Sequence, residues 1–477
     1  MSTRSWWQAP LTLLVTIHTA LSVAASDVSA QTPLEVREVL ASVDRSFPLI
    51  DAARREQDEA RGALLEARGS FDLKVKAEAE TLQGYYDNSR FKSVLEQPVA
   101  PLGMTLFGGY RLGSGTFGPY DEKALTLGDG ELMAGFSLPL LRDRGVDARR
   151  TGVNVTSLGV DIAEQSVAKA RLSYLKDALK QYWDWVAAGR QIGVARGLLD
   201  LAEQRDTDLA AAVQLGQLPP VERTDNVRAI LQRRSALITA QRVVEATAIN
   251  LSIYYRGQDG APMRPPAERV PSALPNPTPL TTDDEARAIE TALARRPEVV
   301  SLRLKQQQQA LETRLAGNAL QPTLNLFGDM SRDYGDGRAS RRGSELEAGV
   351  LFELPLQRRK ASGKVGQARA KLARLDAERR FAEDRVRADV QDAASALRAT
   401  FATIELVRQE LTVARELEAL ERDRFQLGDS TQFLVNLREL NTADAAFREI
   451  KALADYQKAL AEFEAASSSL LDRVTAP

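Results

Sequence analysis

The chain has 477 residues, enough for two or three ordinary domains, and its 63 basic and 65 acidic residues leave a net charge of −2. This balance gives no indication of a nucleic-acid partner. Cysteine is absent and the single histidine is His18, so the rest of the chain lacks thiol and imidazole groups for nucleophilic catalysis or metal binding. We therefore expect no catalytic site, no metal site and no cofactor.

Residues 1–30 have the order of a secretory signal peptide. Arg4 precedes an apolar run from Leu11 to Val23, and Val28-Ser29-Ala30 offers small residues for cleavage before Gln31. The run is too short to span a bilayer as a helix. A buried N-terminal helix is the alternative, but the order of charged, apolar and small segments argues against it. We expect an exported chain that begins at residue 31.

The first half, residues 31–253, begins with a helix and two predicted strands. Alternating apolar and polar residues place the strands at about 71–82 and 131–140. The segment between them, 84–130, is rich in glycine and aromatic residues. It forms either a loop or an extra strand near 104–112, and the sequence leaves this open.

The rest of the first half is predicted to be a helical hairpin. Strong helix formers fill residues 142–215 without a proline. At 1.5 Å per residue this helix would be roughly 100 Å long, far longer than an ordinary globular core. A return helix is predicted at about 221–253, after Leu215-Gly216.

The second half, residues 282–477, repeats this plan after a proline-rich linker at 254–281. Its strands are predicted at about 323–330 and 345–355, its long helix at 357–427 and its return helix at 431–470. In each half the second strand ends in Leu-Pro-Leu, and the long helix ends at a Leu-Gly. A duplicated unit of this kind predicts an elongated molecule.

The predicted strands have the clean alternation that a membrane β-barrel requires. No apolar segment of about 18 residues follows the signal peptide, so a membrane role would need such a barrel. Two strands per half make four, and about eight is the practical minimum for closure. The strands are therefore shared among chains, or they form a half-buried sheet in a soluble domain. The export signal and the long helices favour the shared barrel.

One face of the predicted strands carries charged residues that would line the lumen of a barrel. These candidates are Asp72, Lys74, Lys76, Glu78, Glu80, Glu131, Asp329, Glu345, Glu347 and Glu353. Since acids outnumber lysines, the field inside would favour cations. The alternative is a solvated sheet face or a wall of salt bridges.

A GxGxxG match at Gly113–Gly118 is the one motif that suggests nucleotide binding. That chemistry needs a strand before the motif and a helix that opens at its third glycine. Here Pro119 and further glycines follow instead, so we expect an extracellular loop.

Three segments carry a likeness to a known family: Ala294–Glu298, Leu354-Pro355-Leu356 leading into Arg358–Lys360, and Arg424–Asp429. In order, spacing and duplication the chain resembles the TolC-like outer-membrane efflux proteins (outer membrane factors), over nearly all of its length after residue 30. The resemblance implies a mainly α-helical homotrimer. Each chain would give four strands to a twelve-stranded β-barrel, which an α-helical barrel continues through the periplasm.

The resemblance also implies partners and a role. The chain would sit among outer-membrane lipids and serve as the passive exit duct of a tripartite efflux or type I secretion system, driven by an inner-membrane pump. A periplasmic adaptor would contact the tunnel tip, formed by Leu215, Gly216, Leu218, Leu427, Gly428, Asp429 and Ser430. By their residues alone, the two Leu-Gly turns are also compatible with plain helix caps.

Two features depart from the family pattern. There is no cysteine for a lipid anchor, and Phe433–Leu437 has none of the acids that ring the aperture in some members.

Two other functions remain open: a periplasmic coiled-coil adaptor without a barrel, and an exported hydrolase with paired carboxylates. The hydrolase would need a compact fold, which the long proline-free helices argue against.

Overall fold

The computed structural model describes residues 32–475, and the predicted signal peptide at 1–30 lies outside the described residues. The helices, in chain order, are α1 (Val36–Ser46), α2 (Pro48–Arg68), α3 (Ala148–Gln214), α4 (Pro220–Ser252), α5 (Thr282–Arg295), α6 (Pro297–Asn318), α7 (Arg359–Gln426), α8 (Gln432–Ala466) and α9 (Leu470–Thr475). The strands are β1 (Lys74–Leu82), β2 (Asn88–Val99), β3 (Met104–Gly115), β4 (Glu131–Pro139), β5 (Thr323–Asp333) and β6 (Ser344–Glu353).

Two very long helices set the length of the molecule. α3 has 67 residues and α7 has 68, so each extends about 100 Å. α3 begins at Ala148 rather than near residue 142, because the Asp147 side chain caps it and Asp143 before it has a φ of 70°. Among residues 32–475, no helix combines the length and apolar character needed to cross a membrane.

Shorter helices run along each long helix. α2 and α4 pack against α3, and α6 and α8 pack against α7. α3 also contacts α6 and α8, so the two halves lie side by side. The second return helix ends at Ala466, short of the predicted residue 470, because Ser468 takes a φ of 65° before α9 begins.

The linker wraps around the middle of the helical body, where the largest hydrophobic cluster lies. Trp185 is fully buried there, and the buried hydroxyl of Tyr182 donates to the Leu34 carbonyl at 2.7 Å. At Gly189 a Cβ atom would lie 2.5 Å from Val270 of the linker, so this glycine lets the linker cross α3 closely. The linker is thus packed onto the body rather than extended away from it.

The sheet corrects the prediction of two strands per half. It has six antiparallel strands in the order β1-β2-β3-β4-β5-β6, four from the first half and two from the second. Residues 84–130 therefore hold two strands that the alternation did not reveal. β2 contains Pro98 and adjacent apolar residues at Val94-Leu95, and β3 is rich in glycine, so neither has a clean period of two.

The glycine motif at Gly113–Gly118 also differs from the expected loop. Gly113 and Gly115 are the last residues of β3, and only the following residues form the loop. A Cβ atom at Gly113 would lie 1.8 Å from the Ala124 carbonyl oxygen, so the missing side chain lets residues 122–124 pack on the strand. No α-helix opens there: a single 3-10 turn at Glu122–Ala124 follows, and the next α-helix is α3.

Candidate functional site

The two helix-to-helix turns have the same backbone construction. After α3, the N–H of Gly216 donates to Val213 and that of Gln217 to Ala212. After α7, Gly428 and Asp429 make the equivalent bonds to Phe425 and Arg424. The glycines have φ values of 72° and 83°. This is the Schellman arrangement, in which glycine adopts the left-handed conformation that other residues avoid.

The structure brings both turns to the same end of the molecule. The N–H of Gln432, at the start of α8, donates to the Glu222 carboxylate near the start of α4 at 2.9 Å. Leu215 is 72% exposed and Leu427 is 79% exposed, whereas Leu218 is half-buried. The predicted tip residues thus form one surface with two protruding leucines, and we call it the tip.

Ser430 and the charged run before the second turn support the tip from behind. The hydroxyl of Ser430 donates to the Glu421 carboxylate at 2.6 Å, while Asp429 is exposed. Glu421 also lies 3.5 Å from the guanidinium groups of Arg424 and Arg438. In the charged run Glu421–Arg424, Glu421, Arg422 and Arg424 therefore take part in ion pairs, and Asp423 is exposed.

A buried ionic cluster lies next to the tip, and the sequence did not reveal it. The Glu439 side chain of α8 has no exposed area and receives hydrogen bonds from Arg205 of α3 and Arg233 of α4. Arg422 of α7 lies 3.2 Å from the same carboxylate, and Arg233 also donates to Asn436 at 3.3 Å. One carboxylate thus joins all four helices of the two hairpins.

The charge state of this carboxylate follows from its surroundings. Burial raises the pKa of Glu439, but the hydrogen bonds and charges of Arg205 and Arg233 outweigh burial, so its pKa lies below the ordinary value. Glu439 is ionised at neutral pH. The signal available in the sequence was weak: a glutamate at a position of α8 that faces other helices.

At the opposite end, the sheet has one apolar and one charged face. A row of paired residues crosses all six strands on the apolar face: Val75, Leu95, Gly108, Ala134, Met330 and Leu346. The adjacent row, on the other face, is Lys74, Glu96, Phe107, Gly135, Asp329 and Glu347. The predicted lumen residues on the strands share this second face.

Two corrections apply to the predicted lumen residues. Asp72 precedes β1 and lies outside the sheet. The unpredicted strands add Arg90, Lys92, Glu96 and Arg111 to the charged face. Three of these four are cations, so the excess of acid on that face, and with it the expected preference for cations, is smaller than the sequence suggested.

Several of these charges are paired rather than free. The Lys76 ammonium lies 2.7 Å from the Glu96 carboxylate on the neighbouring strand. Glu131 is buried, and the Arg111 guanidinium donates to its carboxylate at 2.7 Å. The charged face therefore contains cross-strand salt bridges, as the alternative interpretation proposed.

Comparison with solved structures identifies the fold. The MtrE outer membrane channel of Neisseria gonorrhoeae aligns with a TM-score of 0.65 at 15% identity, over 99% of both chains. The CmeC outer membrane channel of Campylobacter jejuni aligns with 0.61 at 13%, over 96% of this chain and 94% of that one. The chain has the fold of these outer membrane channels. The outer membrane protein VceC of Vibrio cholerae is also similar (0.60, 13%, 91% and 95%).

This likeness concerns the fold. No protein-family model and no curated protein matches the chain. The comparison confirms the mainly helical architecture with a small sheet that the resemblance implied.

Proposed function

We propose that this protein is an outer-membrane channel of the TolC-like family and serves as a passive exit duct for efflux or type I secretion. The observation that carries the proposal is the joining of two unlike parts. A sheet with an apolar and a charged face continues into helical hairpins about 100 Å long, whose turns meet at the far end. The sheet suits lipid on one side and water on the other.

The assembly we propose is a homotrimer in the outer membrane, with the helices in the periplasm. Neither edge of the sheet, β1 or β6, is paired with another strand of residues 32–475. Six strands are too few to close a barrel, for which about eight are needed. Three copies would supply enough strands, and the apolar face would contact outer-membrane lipid.

The tip is the proposed contact with a periplasmic adaptor, which would link the duct to an inner-membrane pump. The exposed side chains of Leu215 and Leu427 offer apolar surface that docking of a partner would remove from water. Within residues 32–475 no group of three His, Asp or Glu side chains is placed to hold a metal ion. In this proposal the duct is passive, and the inner-membrane pump supplies the energy for transport.

Fractionation and conductance test the membrane part of the proposal. Protein expressed with its N-terminal segment should stay in outer membranes through a carbonate wash, purify in detergent with the mass of a trimer, and form steady pores in planar bilayers. Release by carbonate as a water-soluble protein would instead support a periplasmic adaptor without a barrel.

Photo-cross-linking tests the adaptor contact. A photoreactive amino acid at Leu427 should capture a periplasmic partner, whereas one at Leu346, which is 82% exposed at the sheet end, should not. Equal capture at both positions would contradict docking at the tip.

A further inference from the structure

We propose that three copies of this chain close an eighteen-stranded barrel, in which β6 of each copy pairs with β1 of the next. This inference rests on the proposed trimeric channel and adds the number and pairing of the strands that form its barrel. The twelve strands implied by the resemblance depended on four strands per chain, whereas the sheet has six.

The hairpin of β2 and β3 is part of the wall because it separates β1 from the rest of the sheet. β2 pairs with β1 along the whole of Lys74–Leu82, and β3 pairs with both β2 and β4. The turn between β2 and β3 is held at the helical end, where a Cβ atom on Gly103 would lie 2.7 Å from the Asp143 carbonyl oxygen. Among the strands of residues 32–475, β1 pairs with β2 alone.

The two outer strands are complementary to each other. All residues of β1 and nearly all residues of β6 are exposed, and the backbone N–H and C=O groups of such outer strands are a template for pairing with another chain. Pairing β6 with a second β6 would bring Glu345, Glu347 and Glu353 near their own copies, which like-charge repulsion disfavours. Pairing β6 with β1 joins an acidic edge to one that begins with Lys74 and Lys76.

Barrel geometry limits the register of this joint. The residue row that starts at Lys74 ends at Glu347 of β6. On the next copy this row continues at a residue displaced along the strand, and we call that displacement, in residues, the stagger. The apolar faces of the two copies lie on the same side of the sheet only if the stagger is an even number. At strand spacings near 4.8 Å, staggers of six and eight give tilts of about 35° and about 43°, within the usual range for barrels.

Both staggers place Glu353 opposite a lysine of the next copy. A stagger of six pairs it with Lys74 but also puts Glu80 opposite Glu347, whereas a stagger of eight pairs it with Lys76 and puts Glu80 opposite Gly349. Opposite charges across a strand pair stabilise it. The barrel would be roughly one and a half times as wide as a twelve-stranded barrel of the same tilt, since diameter grows about linearly with strand number.

Disulfide mapping tests the joint in the full-length protein, which has no native cysteine. On the apolar face, Ala79 should lie opposite Ala348 at a stagger of six, or opposite Val350 at a stagger of eight. Oxidised A79C/A348C or A79C/V350C protein should therefore give a covalent trimer on non-reducing gels. The control A79C/L351C puts the thiols on opposite faces and should not give a covalent trimer.

A second pair tests whether the β2–β3 hairpin is in the wall. Ala77 pairs with Ser93 of β2, so A77C/S93C should cross-link within one chain after assembly. Native mass spectrometry of the same samples reports the trimer independently. A strand count in a cryo-electron microscopy section of the wild-type trimer should give eighteen.

The outcomes separate this inference from the proposed function. A native trimer in which neither A79C/A348C nor A79C/V350C cross-links overturns the edge pairing. A native trimer without the A77C/S93C cross-link, or with twelve strands in section, overturns the eighteen-stranded wall and leaves the channel intact. A protein that never forms a trimer overturns both.

Discussion

Neutralising Glu439 should loosen the tip, because its carboxylate joins the four helices of both hairpins. Glu439→Gln keeps the size of the side chain and leaves Arg205 and Arg233 buried without their counter-charge. Removing one partner of a buried ion pair costs about 3–5 kcal/mol. At about 1.4 kcal/mol per tenfold change, this raises the local opening constant, and lowers the protection factor, by roughly 10²- to 4 × 10³-fold.

Hydrogen exchange measured by mass spectrometry is the suitable assay, because it reports local opening without requiring two-state unfolding. Peptides around Arg205 and Glu439 should exchange faster in Glu439→Gln, while peptides from the sheet should not change. Glu416→Gln, at an exposed glutamate of α7, is the matched control. Adding Arg233→Gln to Glu439→Gln should recover part of the protection, since an unpaired buried charge is removed.

The pH dependence gives an independent check. The pKa of Glu439 is lowered in the folded protein, so its stabilising contribution is present above the pKa of the unfolded chain, about 4.3. The contribution is lost as the pH falls from there through the folded pKa. After correction for intrinsic exchange, wild-type protection at the tip should fall more in this acidic window than that of Glu439→Gln. The variant keeps the pH dependence of Glu421, whose pKa is also lowered, chiefly by the hydrogen bond from Ser430.

Our reasoning would be refuted if Glu439→Gln and Glu416→Gln showed the same protection at neutral pH. That result would mean that desolvation of the cluster cancels its attraction, and that packing alone joins the hairpins.

Three further changes test other parts of the structure. Gly428→Ala should destabilise the second turn by about 1–2 kcal/mol, because residue 428 has a positive φ. The control Gly366→Ala, inside α7, should stabilise that helix slightly. Limited proteolysis should therefore cleave the tip faster in Gly428→Ala than in Gly366→Ala. Gly189→Ala should lower the thermal midpoint, at a cost of about 1–3 kcal/mol, by pushing the linker away, and Gly193→Ala, in open space on the same helix, should not. Leu427→Asp should reduce adaptor capture severalfold with the native trimer mass unchanged; loss of the trimer would contradict a role confined to docking.

The sequence by itself determined the elongated plan of this protein. Proline-free runs rich in strong helix formers predicted two helices of great length, and the Leu215-Gly216 and Leu427-Gly428 pairs at the ends of these runs marked where glycine could reverse the chain tightly. Clean alternation located β1, β4, β5 and β6. These features are local, so they can be read from neighbouring residues.

Only the tertiary structure decided the rest, because the deciding contacts join residues far apart in the chain. β2 and β3 have no clean alternation of their own, and they exist because β1 and β4 offer ladders on both sides. Glu439 resembles any helical glutamate until Arg205 and Arg233 close around it. Its burial depends on how the two halves of the repeat pack together.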